Sequence, residues 1–276
     1  MFHHMQTVAQ QPSSYVDPAL TTRLHEMTAI AEHSLRVRHN WNKQQIAKWW
    51  MGMGNSAQKS AEIAMLRSMV NTTDSTGPIR TACEVGMNAG HSATALLEGL
   101  ETVLVTFDLM ILPYSNATRA ALQERYPGRI HFFGGRSQVQ VPHYAAVARQ
   151  QLGLPLCDVW FIDGDHENGA LFDMLAALNV SRDGAMMVAD DCSPKHPKVQ
   201  SAWRTLVDGG LIYDSWNRTM SHGMKGWCVG RYKRSEHNDA WLANGLSKKM
   251  PRAHSLRLDP VSSKYWQAHA KGTWNP

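Results

Sequence analysis

The stretch CEVGMNAGHSATALLEGL, residues 83–100, reads as an apolar strand, a glycine-bearing turn and a helix in immediate succession. Gly86 and Gly90 permit a tight turn and a close backbone approach. The helix that follows presents unpaired N–H groups to an anion, with the Ser92 hydroxyl beside them, so a carboxylate or phosphate fits there. The turn reads GMNAG and not the GxGxxG of a dinucleotide fingerprint, which argues against a dehydrogenase.

Working outward, the same alternation recurs. RTACEVG, TVLVTFD, RIHFFGG, CDVWFIDG and GAMMVADD read as strands, each followed by a helical stretch, while LIYDSWN and KGWCVGRYKR close the pattern without a helix between them. Five strand-then-helix units with short loops predict a doubly wound, mostly parallel α/β sheet of seven strands covered on both faces, with an antiparallel edge. Ahead of it lies a helical leader. Asp17-Pro18 supplies a capping carboxylate and a proline for the first helical turn, and Leu20, Leu24, Met27, Ala31 and Leu35 recur at spacings of three and four. WNKQQIAKWW and a stretch from Asn55 carrying Ile63, Leu66 and Val70 predict two more helices, and NTTDSTGP, 71–78, reads as the link into the sheet.

The chain has 276 residues and a net charge of +5, unevenly spread. Residues 231–276 hold nine Lys and Arg against three acids, which leaves the first 230 residues at −1. A basic tail of that kind can attract an anionic partner through its summed field, although a solvated surface is the simpler expectation. No run of about 18 apolar residues suggests a membrane span and no signal peptide is evident, so the expectation is a cytoplasmic protein. Cys83, Cys157, Cys192 and Cys228 lack CxxC spacing and sit in or beside apolar strands, where buried reduced thiols are expected.

In such a sheet, ligands bind beyond the carboxyl ends of the strands. The second strand ends at Asp108, where a carboxylate can accept both hydroxyls of a ribose. Glycine turn, helix and acid in this register resemble the class I S-adenosylmethionine-dependent methyltransferases, especially the metal-dependent catechol O-methyltransferase branch and the similar antibiotic-sugar O-methyltransferases. The resemblance runs roughly from Trp49 to Tyr232. It implies a Rossmann-like methyltransferase fold with an N-terminal helical extension, organised as a leader (1–75), an S-adenosylmethionine-binding catalytic domain (76–234) and a basic tail (235–276). It also implies that Glu84, Gly86 and Met87 line the methionine part of the cofactor, that Ser92 reaches its carboxylate, and that Asp108 with Leu109 holds the ribose. GGRSQ resembles the segment lying against the adenine, which assigns that role to Ser137 and Gln138. WWMGMGNSAQK resembles a segment that closes over the methyl group, making Trp49, Met51 and Met53 lid residues, unless they pack as core; Asp163 also borders the cofactor.

FIDGDHENG and MMVADDCS end the fourth and fifth strands, so Asp163, Asp190 and Asp191 are expected on one rim. Neighbouring carboxylates repel and raise one another's pKa unless a cation neutralises them. Oxygen ligands favour Mg2+, or Mn2+ or Ca2+, over zinc, and the resemblance implies the same metal trio. A divalent ion lowers the pKa of a bound hydroxyl and fixes its oxygen. For a general base the resemblance points to Asp165, the second acid of DGD, or to His166, which stands where the catechol branch has lysine. His196 reads as an exposed loop histidine, and His222, Trp216 and Asn217 carry weak signals for the pocket.

The expected function is therefore metal-dependent methyl transfer to a hydroxyl of a small molecule, with no membrane or nucleic-acid partner and a homo-oligomer compatible with the sequence. The alternative is a metal-independent N-methyltransferase on RNA, protein or a small amine docked by the basic tail. A noncatalytic protein retaining the fold is a third reading.

Overall fold

The computed structural model describes residues 16–53, 60–71, 78–167, 169–220, 225–236 and 238. Helix α1 (Pro18–His39) begins where Asp17 accepts a hydrogen bond from the Ala19 N–H at 2.7 Å, and it ends at Asn40 in the left-handed conformation. All five residues of its expected apolar face, Leu20, Leu24, Met27, Ala31 and Leu35, are buried. Helices α2 (Lys43–Met53) and α3 (Ser60–Asn71) complete the leader.

Seven strands form one sheet: β1 (Thr81–Val85), β2 (Val103–Asp108), β3 (Ile130–Gly134), β4 (Cys157–Ile162), β5 (Ser181–Ala189), β6 (Ile212–Met220) and β7 (Lys225–Tyr232). Their order is β3-β2-β1-β4-β5-β7-β6, with β1 to β5 parallel and β7 running antiparallel to both β5 and β6. The expected antiparallel edge is thus refined: β7 inserts beside β5 and β6 becomes the border. Strand order reverses between β1 and β4, the position at which sheets of this kind form a ligand-binding crevice beyond the strand ends.

Helices cover both faces. Beneath one lie α6 (Ser137–His143), which continues through a wide turn at Tyr144–Ala148 into α7 (Arg149–Gln151), with α8 (Ala170–Asn179) and α9 (Pro197–Asp208). Pro142 has no N–H to donate, which accounts for the loosened helix at that point. Phe107, Tyr144, Trp160, Met174 and Trp203 belong to this core. The opposite face carries α4 (His91–Leu97) and α5 (Ser115–Arg125), and here the leader joins them: Leu20, Leu24, Met27, Ile63 and Leu66 share one apolar cluster with Leu96, Leu104 and Leu122. The leader is therefore built into the sheet's core.

The cysteines correct the sequence reading. Cys83 of β1 is bonded to Cys157 of β4, and Cys192, just past β5, is bonded to Cys228 of β7, with Cα separations of 6.0 and 5.5 Å. Those spacings suit disulfides. Sequence spacing concealed the pairs because it is the strand order that sets β1 beside β4 and β5 beside β7.

Candidate active site

Gly86, at φ +91°, donates its N–H to Phe107 O at 2.8 Å and turns the chain out of β1. A Cβ added there would lie 2.0 Å from the Asp163 carbonyl oxygen, so only glycine lets the turn rest on the end of β4. At Gly90, φ +81°, a Cβ would meet Leu122 and Met27 at 2.9 and 3.0 Å, which shows α1 and α5 pressed against the turn. Asp108 braces the turn from β2. Its carboxylate accepts from the N–H groups of Met87 (2.9 Å), Asn88 (3.1 Å) and Met110 (2.6 Å). Burial raises its pKa, partly offset by those donors. Leu109, next to it just past the end of β2, is 38 % exposed.

Ser92 does not point a free hydroxyl at the crevice. It donates to Glu84 at 2.8 Å, and Thr106 donates to the other Glu84 oxygen at 2.9 Å. Glu84 is fully buried, and that burial pushes its carboxyl up to about 8 despite the two hydrogen bonds. Ser137 and Gln138 open α6. Ser137 donates to Asp173 of α8 at 2.6 Å and Gln138 approaches the same oxygen at 3.4 Å. Burial lifts Asp173 to about 7, opposed by the Ser137 bond. Both residues therefore stand at the strand-end rim, anchored by a buried acid that the sequence did not single out.

At the acid rim, Asp163 N–H donates to Val85 O at 2.8 Å and Asp190 N–H to Ile162 O at 2.9 Å, so the sheet's hydrogen bonds continue past the strands. Beyond them the side chains diverge from the expectation. Asp190 accepts from the Trp227 indole N–H at 2.6 Å, a partner supplied by β7. His166 sits between two acids, with Nε2 3.1 Å from Asp163 Oδ1 and Nδ1 3.4 Å from Asp191 Oδ2. His196 Nε2 lies 3.5 Å from the same Asp191 oxygen, and the two imidazole rings are 5.1 Å apart. Among the described residues, donor atoms of His166, Asp191 and His196 all lie within 4.8 Å of one another. This trio stands where Asp163, Asp190 and Asp191 were expected, because Trp227 engages Asp190 and an imidazole enters between the other two acids. His196, read as an exposed loop histidine, is half-buried against His166.

Burial opposes charge on His166, but the hydrogen bond it donates to Asp163 and the negative field of Asp163, Asp191 and Asp190 prevail and raise it to about 9. Asp191 adopts a left-handed φ of +52°, which aspartate tolerates better than most residues. Asp165 spends its two oxygens on the N–H groups of Glu167 (2.8 Å) and Gly169 (2.9 Å), shaping the loop. Of the two sequence candidates for a base, His166 is the one in contact with other rim acids.

The leader reaches the site through aromatic rings. Trp49 is buried, packs edge-on against Trp41 and Tyr114, and donates to Tyr114 Oη at 3.4 Å. Tyr114 in turn donates to Asn88 in the glycine turn at 2.5 Å. Trp49 thus packs as core behind the turn, through Tyr114 and Asn88, neither of which the sequence had suggested. The side chains of Met51 and Met53, together with His222 and most of the basic tail, lie outside the described residues. Trp216 and Asn217 are exposed on β6, separated from β5 by β7. No described helix is long and apolar enough to cross a membrane.

Comparison with known proteins agrees with this architecture. Residues 83–192 match a family described as a methyltransferase domain. No curated protein matches the chain. Among solved structures, the O-methyltransferase TomG from Streptomyces achromogenes, involved in tomaymycin synthesis and in complex with S-adenosylmethionine, superposes with a TM-score of 0.57 at 17 % identity, over 80 % of this chain and 92 % of that one. An O-methyltransferase from Bacillus cereus in complex with S-adenosylhomocysteine gives 0.53 at 16 % identity, over 79 % and 92 %. At those identities the likeness establishes the fold. Residues 83–192 are thus similar to a methyltransferase domain, and they lie within a seven-stranded sheet that shares the Rossmann-like fold of those solved methyltransferases.

Proposed function

We propose that this protein is an S-adenosylmethionine-dependent O-methyltransferase that acts on a hydroxyl of a small molecule with the help of a divalent cation. One observation carries the proposal. The Gly86 turn rests directly on the backbone of Asp163, so the surface suited to a cofactor and the rim of acids and histidines face one crevice. A methyl donor held by the first would stand beside an acceptor held by the second.

The donor set at the rim, two imidazoles and a carboxylate, fits a divalent cation, and Asp191 is common to this set and to the one expected from sequence. When bound, S-adenosylmethionine supplies a methyl on a sulfonium, and the cation lowers the pKa of the acceptor hydroxyl. The chain's own contribution is placement. Asp108 keeps the glycine turn in register for the cofactor's ribose, and Ser137 and Gln138, anchored on Asp173, border the adenine end. Leu109, exposed beside Asp108, offers an apolar surface to the cofactor. Holding both reactants in one orientation removes much of the entropic barrier. With His166 counted among the cation's donors, the rim group left to receive the acceptor's proton is Asp163, which stands beside it.

Calorimetry with S-adenosylhomocysteine, paired with mass-spectrometric detection of methyl transfer to a panel of small phenols and sugars, tests the proposal. Asp108→Ala is expected to weaken binding at least about tenfold through loss of the turn's brace, while Asp191→Ala keeps binding and loses transfer. A wild-type chain that binds no S-adenosylhomocysteine would refute it.

A further inference from the structure

The rim's donors differ in kind from those a hard cation selects. We infer that it holds a borderline transition-metal ion such as Zn2+ through His166 Nδ1, Asp191 Oδ2 and His196 Nε2, with Asp163 orienting His166 from behind. This rests on the cation part of the proposed function; it does not depend on methyl transfer.

Three observations support the assignment. First, Nδ1 of His166 and Nε2 of His196 stand 3.4 and 3.5 Å from one Asp191 oxygen. Two ligands of a tetrahedral ion with bonds of about 2.0–2.1 Å are separated by about 3.4 Å, so each nitrogen already stands from the carboxylate oxygen at the spacing one ion imposes, with all three donors within 4.8 Å of one another. Second, His166 turns its other nitrogen, Nε2, to Asp163 at 3.1 Å. A carboxylate on the distal nitrogen is the usual means of fixing the tautomer and orientation of a ligating histidine. Third, Asp190, which an all-oxygen site would need, already accepts from Trp227 deep in the fold at 2.6 Å. Mg2+ prefers oxygen donors in near-octahedral array, whereas a site with two imidazoles and one carboxylate suits Zn2+, Co2+ or Ni2+. The strand ends supply Asp163 and Asp191, the loop after β4 supplies His166, and His196 arrives at the start of α9. Ligation by His166 leaves Asp163 as the rim group able to take the acceptor's proton.

The test uses the full chain, stripped with chelator and titrated with Zn2+, Co2+ and Mg2+ by calorimetry, with Co2+ also followed by visible absorption. The expected result is one equivalent of Zn2+ bound at least about 100-fold more tightly than Mg2+, with cobalt bands of tetrahedral intensity. His196→Ala should weaken Zn2+ at least about 100-fold and Asp163→Asn about 10- to 100-fold, with unchanged unfolding midpoints, while His143→Ala, at an exposed position ending α6, leaves affinity unchanged. Mg2+ bound as tightly as Zn2+, or His196→Ala with wild-type Zn2+ affinity, overturns the inference. A chain that binds Zn2+ as described but no S-adenosylhomocysteine supports this site and overturns methyl transfer instead.

Discussion

Replacing Gly86 by alanine tests the contact on which the crevice depends. The new Cβ would lie 2.0 Å from the Asp163 carbonyl oxygen and 2.7 Å from its carbon, both backbone atoms that cannot rotate aside. The end of β4 must retreat by roughly 1 Å, and forcing atoms into a packed site in this way costs about 1–3 kcal/mol. The left-handed φ of +91° adds about 1–2 kcal/mol for any residue with a Cβ. The sum is on the order of 2–5 kcal/mol. Gly128 separates the two contributions, since at φ +71° it has nothing within 4 Å of its would-be Cβ. Gly128→Ala should therefore lose only the conformational part, about 1–2 kcal/mol. Urea denaturation of the two variants beside the wild type measures the difference directly, and calorimetry with S-adenosylhomocysteine should show affinity lost in Gly86→Ala alone. Failure of Gly86→Ala to fold, while Gly128→Ala folds, carries the same meaning. If the two variants are equally stable and both bind as wild type does, Gly86 does not rest on Asp163 and the shared crevice is wrong.

Glu84 predicts a pH dependence of stability. Its folded pKa of about 8 lies above the ordinary value of 4.5, so the folded chain keeps a proton that the unfolded chain releases within that window. Stability is full below about pH 4.5 and falls as pH rises towards 8, by up to about 1.4 kcal/mol per unit. Glu84→Gln should flatten this fall in urea titrations at pH 5, 6.5 and 8, and parallel curves for variant and wild type would contradict it. The disulfides predict that the unfolded, unreduced protein yields no thiol to Ellman's reagent and four after dithiothreitol, with reduction costing up to about 4 kcal/mol per bridge from loop closure. Four thiols without reductant would show the bridges absent. Trp227→Phe removes the indole N–H from Asp190 and should cost about 1–3 kcal/mol in chemical denaturation, an effect absent if that hydrogen bond does not form.

Much of the frame was legible from local pattern. The Asp17-Pro18 start and the spacing of Leu20, Leu24, Met27, Ala31 and Leu35 describe α1, because a helix writes its buried face into every third and fourth residue. Strand runs ending at Gly86, Asp108, Asp163 and Asp190 likewise located the rim, since parallel strands deliver their carboxyl ends to one side.

Side-chain partners across the sheet were not legible, for they depend on which strands become neighbours and on rotamers chosen between distant segments. Trp227 meets Asp190, and Cys192 meets Cys228, only because β7 inserts beside β5. His196 joins Asp191 because α9 begins where the chain leaves β5. The sequence by itself determined the alternating α/β order and the acids at the strand ends. The tertiary structure alone decided which of those acids stand with histidines, because that choice is set by contacts between residues far apart along the chain.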